Sequence, residues 1–194
     1  DMKKRTAFIG AILSLIPFGQ PLLIKTGVVL STASYMIAFP DNLYARDAAF
    51  YFNRAIKKED DGDYYGAISD YDKVIEINPN DANAYYNRGN IKGRDLKDYS
   101  GSLSDLNKAI EINPNNDQMY VSRCLVKTHL KDYYGAISDC NKAIQINPKD
   151  SQAFINRAVT KFFIGDKKGA CFDARKGKSL GSNKGSRAVE LICK

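Results

Sequence analysis

Within the stretch 82–114, ANAYYNRGNIKGRDLKDYSGSLSDLNKAIEINP, Tyr85, Gly89 and Lys92 follow the i, i+4, i+7 spacing of one helical face. Leu103, Leu106, Ile110 and Asn113 do the same a little further on. Between the two patterns lies LKDYSG, which has the composition of a turn. Asn113-Pro114 closes the unit, because proline cannot continue a helix and disfavours helical backbone at the residue before it. The pattern predicts one helical hairpin.

The hairpin recurs. Upstream, 48–79 reads AAFYFNRAIKKEDDGDYYGAISDYDKVIEINP; downstream, 117–148 reads DQMYVSRCLVKTHLKDYYGAISDCNKAIQINP; a fainter copy starts at Ser151. Pro79, Pro114 and Pro148 are spaced 35 and 34 residues apart, and Gly66, Gly101, Gly135 and Gly169 are spaced 35, 34 and 34. A period of about 34 residues is the signature of one helical hairpin stacked on copies of itself. No such unit buries its apolar face alone, so neighbours must cover it. Small residues recur where backbones should approach closely: Ala55, Gly89, Cys124 and Ala158 on the first helices, Ala67, Ser102, Ala136 and Ala170 early in the second, and Val74, Ala109, Ala143 and Gly177 later. Tyr51, Tyr85, Tyr120 and Phe154 open the first helices as wedges. The second copy carries one extra residue, which the spacing places in its inner turn.

At these positions the chain resembles the tetratricopeptide repeat (TPR) family, which has an aromatic near the start, a small residue four positions on, an alanine opening the second helix, another seven later, and a terminal proline. The resemblance implies an all-α fold, a right-handed superhelix of about four helix-turn-helix repeats at about 48–81, 82–116, 117–150 and 151–182, inside a domain 46–182. There are departures. Arg54, Arg88, Arg123 and Arg157 stand where the family usually has leucine, and Ser182 replaces the terminal proline, so the fourth copy is expected to close the array. Residues 183–194 are expected to cap it, with Val189, Ile192 and Cys193 covering the open apolar end, since a solenoid needs a terminal cap. Lys176–Arg187 reads as loop, being rich in Gly, Ser and Lys.

In the family, the first helices line a concave groove that receives extended peptides. The resemblance carries this role to Phe52, Asn53 and Ile56; Tyr86, Asn87 and Asn90; Val121, Ser122 and Leu125; and Ile155, Asn156 and Val159. Asparagine both donates and accepts hydrogen bonds, so it can hold a peptide main chain of any sequence. Asn53, Asn87 and Asn156 have a second reading, as hydrogen bonds between repeats. The lysines with which some family members clamp a terminal carboxylate are missing, which argues against a chaperone C-terminus as ligand.

Charge changes the picture at both ends. Formal net charge is +7, with +2 over residues 1–45, −2 over 46–150 and +7 over 151–194. Lys3, Lys4 and Arg5 precede an uncharged run Thr6–Ile24, then Lys25, then a second uncharged run to Pro40. This is the layout of a targeting or membrane segment, 1–45, with possible membrane association through 6–39. Three readings stay open. Gly27–Phe39 is the apolar core of a signal peptide cleaved after Leu43-Tyr44-Ala45; Thr6–Ile24 is an uncleaved anchor; or both runs form a hairpin in the bilayer. The first two export the repeats, to a periplasm or thylakoid lumen, and the third leaves them inside. A pair of buried soluble helices is the plain alternative. Asp41–Asp47 reads as a polar linker. The layout also looks, more loosely, like small exported cyanobacterial proteins of the same repeat family.

Residue chemistry adds little. His129 is the single histidine and lies five residues from Cys124, pointing about 140° away on one helix, outside the reach of a Cys–His pair. Glu59–Asp63, EDDGD, lacks the ligand spacing of a calcium loop and reads as an inter-helix turn. No catalytic, cofactor-binding or metal site is expected. Of four cysteines, none has metal-type spacing; Cys124 and Cys140 read as buried thiols, and in an exported chain Cys171 with Cys193 would staple the cap. The basic tail has no interleaved aromatics for nucleic acid and reads as a solvated end near an anionic membrane. The sequence points to a non-enzymatic protein-interaction scaffold of a bacterium. A membrane-tethered assembly factor for a membrane complex is the alternative, and an enzyme the alternative of another class.

Overall fold

The recurrent glycine is dictated by a helix cap. Asp63, Asp98, Asp132 and Asp166 each accept a hydrogen bond from the backbone N–H of the residue three positions on, namely Gly66, Gly101, Gly135 and Gly169, at 2.9–3.0 Å. A Cβ on any of these glycines would lie 2.0–2.1 Å from the capping carboxylate oxygen. The four second helices therefore start where Asp-x-x-Gly occurs, each with a side-chain acceptor for an otherwise orphaned N–H.

The computed structural model describes the backbone of residues 40–194 and the side chains of 47–194. The apolar segment 1–39, with its signal, anchor and hairpin readings, lies outside the described residues. The helices are α1 (Pro40–Asp60), α2 (Tyr64–Ile77), α3 (Ala82–Asn90), α4 (Tyr99–Ile112), α5 (Asp117–His129), α6 (Tyr133–Ile146), α7 (Ser151–Phe163), α8 (Lys167–Ser179) and α9 (Asn183–Ile192), with a π-helical turn (Ile91–Asp95) following α3. There is no strand among the described residues. Consecutive helices pack as hairpins, and the first helices also meet one another, α5 against α7 and α7 against α9. Among the described residues no helix is long and apolar enough to cross a membrane.

The small-residue register holds at every position. Ala55, Ala67, Val74, Cys124, Ser102, Ala109, Ala136, Ala143, Ala158 and Ala170 are all wholly buried, as are the larger Tyr71, Ile91, Leu106 and Met119. The cap forms as expected: Ile192 and Ala188 join Ile155, Ala158, Ala170 and Ala174 in one cluster, with Val189 packed against it.

Three expectations are corrected. Residues 41–47 are helical backbone continuous with the first repeat, and Ala45 falls inside α1. The extra residue of the second copy is absorbed at the end of the first helix, where the Leu96 N–H bonds the Ile91 carbonyl five residues back; the inner turn keeps its length. Lys176–Arg187 is not a loop. α8 runs to Ser179 and α9 starts at Asn183, and Gly185 serves close helix approach, since a Cβ there would meet the Lys178 nitrogen at 2.5 Å.

Candidate functional site

The four arginines in place of leucine are explained by a carboxylate across the hairpin. Arg54, Arg88, Arg123 and Arg157 each make two hydrogen bonds, at 2.6–2.9 Å, to Asp70, Asp105, Asp139 and Asp173 on the second helix of the same repeat. One turn on, Lys58, Lys92, Lys127 and Lys161 reach the same carboxylates at 2.8–3.0 Å. The guanidinium lies over the wedge aromatic three residues earlier, 5.1–5.5 Å from the ring centres of Tyr51, Tyr85, Tyr120 and Phe154. It also reaches back to the preceding repeat, Arg88 to Asp72, Arg123 to Asn107 and Arg157 to Asn141. Arg88, Arg123 and Arg157 thus each tie their own hairpin to the one before it. The aspartates are buried, so this is a planar, bidentate, desolvated contact that leucine could not make.

The ladder has an acid-pH consequence. The Arg54 guanidinium holds the Asp70 carboxyl below the usual carboxylate range, against the desolvation that pushes it up and with help from Lys58. A depressed folded pKa gives stability that is full above the unfolded value, about 3.9, and lost as pH falls through the folded one. Thermal melts between about pH 5 and pH 2 should therefore show a smaller acid-induced drop in Asp70→Asn than in the wild type; parallel drops would show that Asp70 carries none of the acid sensitivity.

The positions of the expected groove share the face of the first helices, in unequal condition. Ile56 and Leu125 are exposed at 39% and 42%, while Tyr86, Asn90, Ser122 and Val159 are half-buried. Val121, Ile155 and Asn156 are buried, Phe52 stacks edge-on with Tyr71 at 5.5 Å, and Asn53 is exposed. The asparagines divide between their two readings. Asn87 donates to the Tyr71 hydroxyl at 3.1 Å, and burial pushes that phenol up to about 12. Asn156 donates to the Val121 carbonyl at 3.2 Å. Both amides are used between repeats, whereas Asn90 lines an open depression.

That depression, of about 310 Å³, lies between the second and third repeats and is lined among others by Tyr86, Asn90, Gly93, Ser122, Leu125 and His129. The π-helical turn brings Gly93 and Arg94 to its wall, so the extra residue shapes this part of the face. A second depression of about 330 Å³ follows at the far end, lined by Ile155, Val159, Phe162, Phe163, Leu191 and Ile192 with Lys184 and Arg187 at its rim. His129 stacks on Tyr99, ring centres 4.5 Å apart. Cys124 is bonded to Cys140 and Cys171 to Cys193. The cap staple forms, and the reading of Cys124 and Cys140 as buried thiols is corrected: their Cα atoms face each other 5.5 Å apart across the hairpin. Within Glu59–Asp63, Glu59 pairs with Arg94 and Asp63 caps α2, the work of an inter-helix turn.

Two family profiles fit the chain, one described as TPR repeat over residues 60–95 and one as Tetratricopeptide repeat over residues 82–116. Residues 60–116 carry tetratricopeptide repeats. A comparison with curated proteins gave no match. Among solved structures, the TPR fold here is similar to a crystal structure of MamA protein, with a TM-score of 0.69 at 20% identity, covering 76% of this chain and 81% of that one. It is similar to MamA 41-end from Desulfovibrio magneticus RS-1, with a TM-score of 0.68 at 17% identity over 75% of this chain and 83% of that one. The first TPR of Spaghetti (RPAP3), solved bound to the HSP90 peptide SRMEEVD, aligns with a TM-score of 0.54 at 22% identity over 58% of this chain and 90% of that one. At such identities the likeness is one of fold. What the TPR pattern alone does not reveal is the Arg–Asp–Lys ladder.

Proposed function

We propose that the TPR domain is a non-enzymatic scaffold that takes an extended peptide segment of a protein partner along the face of its first helices. The observation that carries this reading is the pair of depressions on that face, both lined by positions with side chains left free for a partner: Tyr86, Asn90, Ser122 and Leu125 in one, Val159 in the other. Asn90 and Ser122 offer hydrogen bonds to a peptide main chain, and Leu125 and Val159 offer apolar contact. Asn87 and Asn156 shape the face from beneath, through their bonds between repeats. The bound peptide in the RPAP3 structure supports the mode of binding, and the missing clamp lysines argue for a different peptide here.

The domain works outside the cytoplasm, exported or held by its N-terminal segment. Two disulfides support this reading, because cytosolic thiols are kept reduced. Tethered at a membrane, such a scaffold would serve as an assembly factor for a membrane complex; the uncharged run Thr6–Ile24 favours that second reading.

A peptide selected from a random library on the full chain supplies the test. Asn90→Ala combined with Leu125→Ala removes one hydrogen bond and one apolar contact, and should weaken binding at least about tenfold with the helical signal retained. Unchanged affinity would refute the groove.

A further inference from the structure

The fourth repeat differs from the other three on its solvent side, position by position. Three residues after the recurrent glycine, the exposed Ser69, Ser104 and Ser138 are replaced by Phe172, which is 68% exposed. One residue before the glycine, Tyr65, Ser100 and Tyr134 are replaced by Lys168. Six residues after it, Asp72, Asn107 and Asn141 accept from the arginine of the next repeat; the fourth repeat has Arg175 there instead. That acceptor has lost its use, because α9 carries Leu191 in the register of the missing arginine.

These replacements converge. Lys167, Lys168, Phe172, Arg175 and Lys194 line one shallow depression of about 370 Å³, together with Cys171, Ile192 and Cys193. The Cys171–Cys193 bond pins the chain next to Lys194 against α8. Little negative charge is at hand: Asp173 is buried and engaged by Arg157 and Lys161, Asp166 caps α8, and Glu190 does not line the depression. Among the described residues, no carboxylate pairs with any of the four cations. The N-terminus of α8 adds its own positive end at Lys167 and Lys168.

We propose that this face docks the domain on an anionic lipid surface, with the Phe172 ring entering the headgroup region and Lys167, Lys168, Arg175 and Lys194 meeting lipid phosphates. A lone exposed aromatic ringed by cations combines the two forces that hold a protein at such an interface, apolar insertion and attraction to charged headgroups. A nucleic-acid strand would call for a series of aromatics on which successive bases stack, and Phe172 is the single aromatic lining this depression. The proposal uses α8 and the cap, so it stands or falls separately from the groove of the first helices.

The chain has no tryptophan, so Phe172→Trp in the full-length protein gives an indole that reports on this face alone. Its emission should move to the blue with phosphatidylglycerol vesicles, return on adding salt, and stay unshifted with phosphatidylcholine vesicles, whatever the N-terminal segment does with either. Adding Lys168→Ala and Arg175→Ala should cut the partition onto phosphatidylglycerol, read from that shift, by roughly thirtyfold, with helicity unchanged. An equal shift on phosphatidylcholine, no shift on phosphatidylglycerol, partition indifferent to the two alanines, or a larger shift with duplex DNA or polyglutamate would each overturn the proposal.

Discussion

Asp139→Ala should destabilise the domain by about 3–5 kcal/mol, the cost of removing one partner from a buried ion pair. The Asp139 side chain is 6% exposed and holds Arg123 by two hydrogen bonds and Lys127 by one ion pair. Without it, two cations whose side chains are 17% and 19% exposed lose their counter-charge. A domain is stable by only about 5–15 kcal/mol in total, so the midpoint in urea should fall sharply. Arg123→Leu, which restores the residue usual in the family, should couple to the aspartate change: the double variant Arg123→Leu with Asp139→Ala is expected to cost less than the sum of the singles. Additive losses would show that arginine and aspartate do not act together.

The second large effect concerns the bond inside the third repeat. Cys124 and Cys140 are separated by 16 residues in sequence, and cutting a cross-link of that span should cost about 3 kcal/mol. Cys124→Ala with Cys140→Ala suits the test, because Ala55 and Ala158 occupy the position of Cys124 in other repeats and Ala174 that of Cys140. The urea midpoint should be highest for the oxidised wild type, lower for the double variant, which keeps the Cys171–Cys193 bond, and lowest for the reduced wild type, which has lost both. Thiol counting on protein isolated from its source should find no free cysteine. Four free thiols in that material would contradict both the bond and the export reading it supports.

Much of this fold was legible because the repeat multiplies weak signals. One Tyr85 or one Ala67 says little; a small or aromatic residue returning every 34 or 35 residues on the helical faces marks a packing position, and each of those small and wedge positions is buried or half-buried. What escaped the reading depends on contacts across the hairpin. The arginines stood out only as departures from leucine, yet Arg123 to Asp139 and Cys124 to Cys140 share a spacing of 16 residues, the step that crosses from the first helix to the second. Read at that spacing, each copy shows Arg, a Lys one turn later and an Asp opposite. The second copy shows it at 17, and that one-residue excess is the π-helical turn. The end of α8 and start of α9 were masked by composition: Gly, Ser and Lys suggested a loop, while Gly185 is there to let two helices touch. The positions expected of a groove were legible as a register of the first helices; which of their asparagines are engaged between repeats was not, since that depends on Tyr71 and Val121 reaching across the repeat boundary.

The central claim is that partners bind on the face of the first helices. The most direct test is to map a library-selected peptide on the full chain by amide chemical-shift changes. The account predicts that the changes fall on α3, α5 and α7, centred on Asn90, Ser122, Leu125 and Val159. Changes confined to α2, α4, α6 and α8, around Ser69, Ser104 and Ser138, would contradict it.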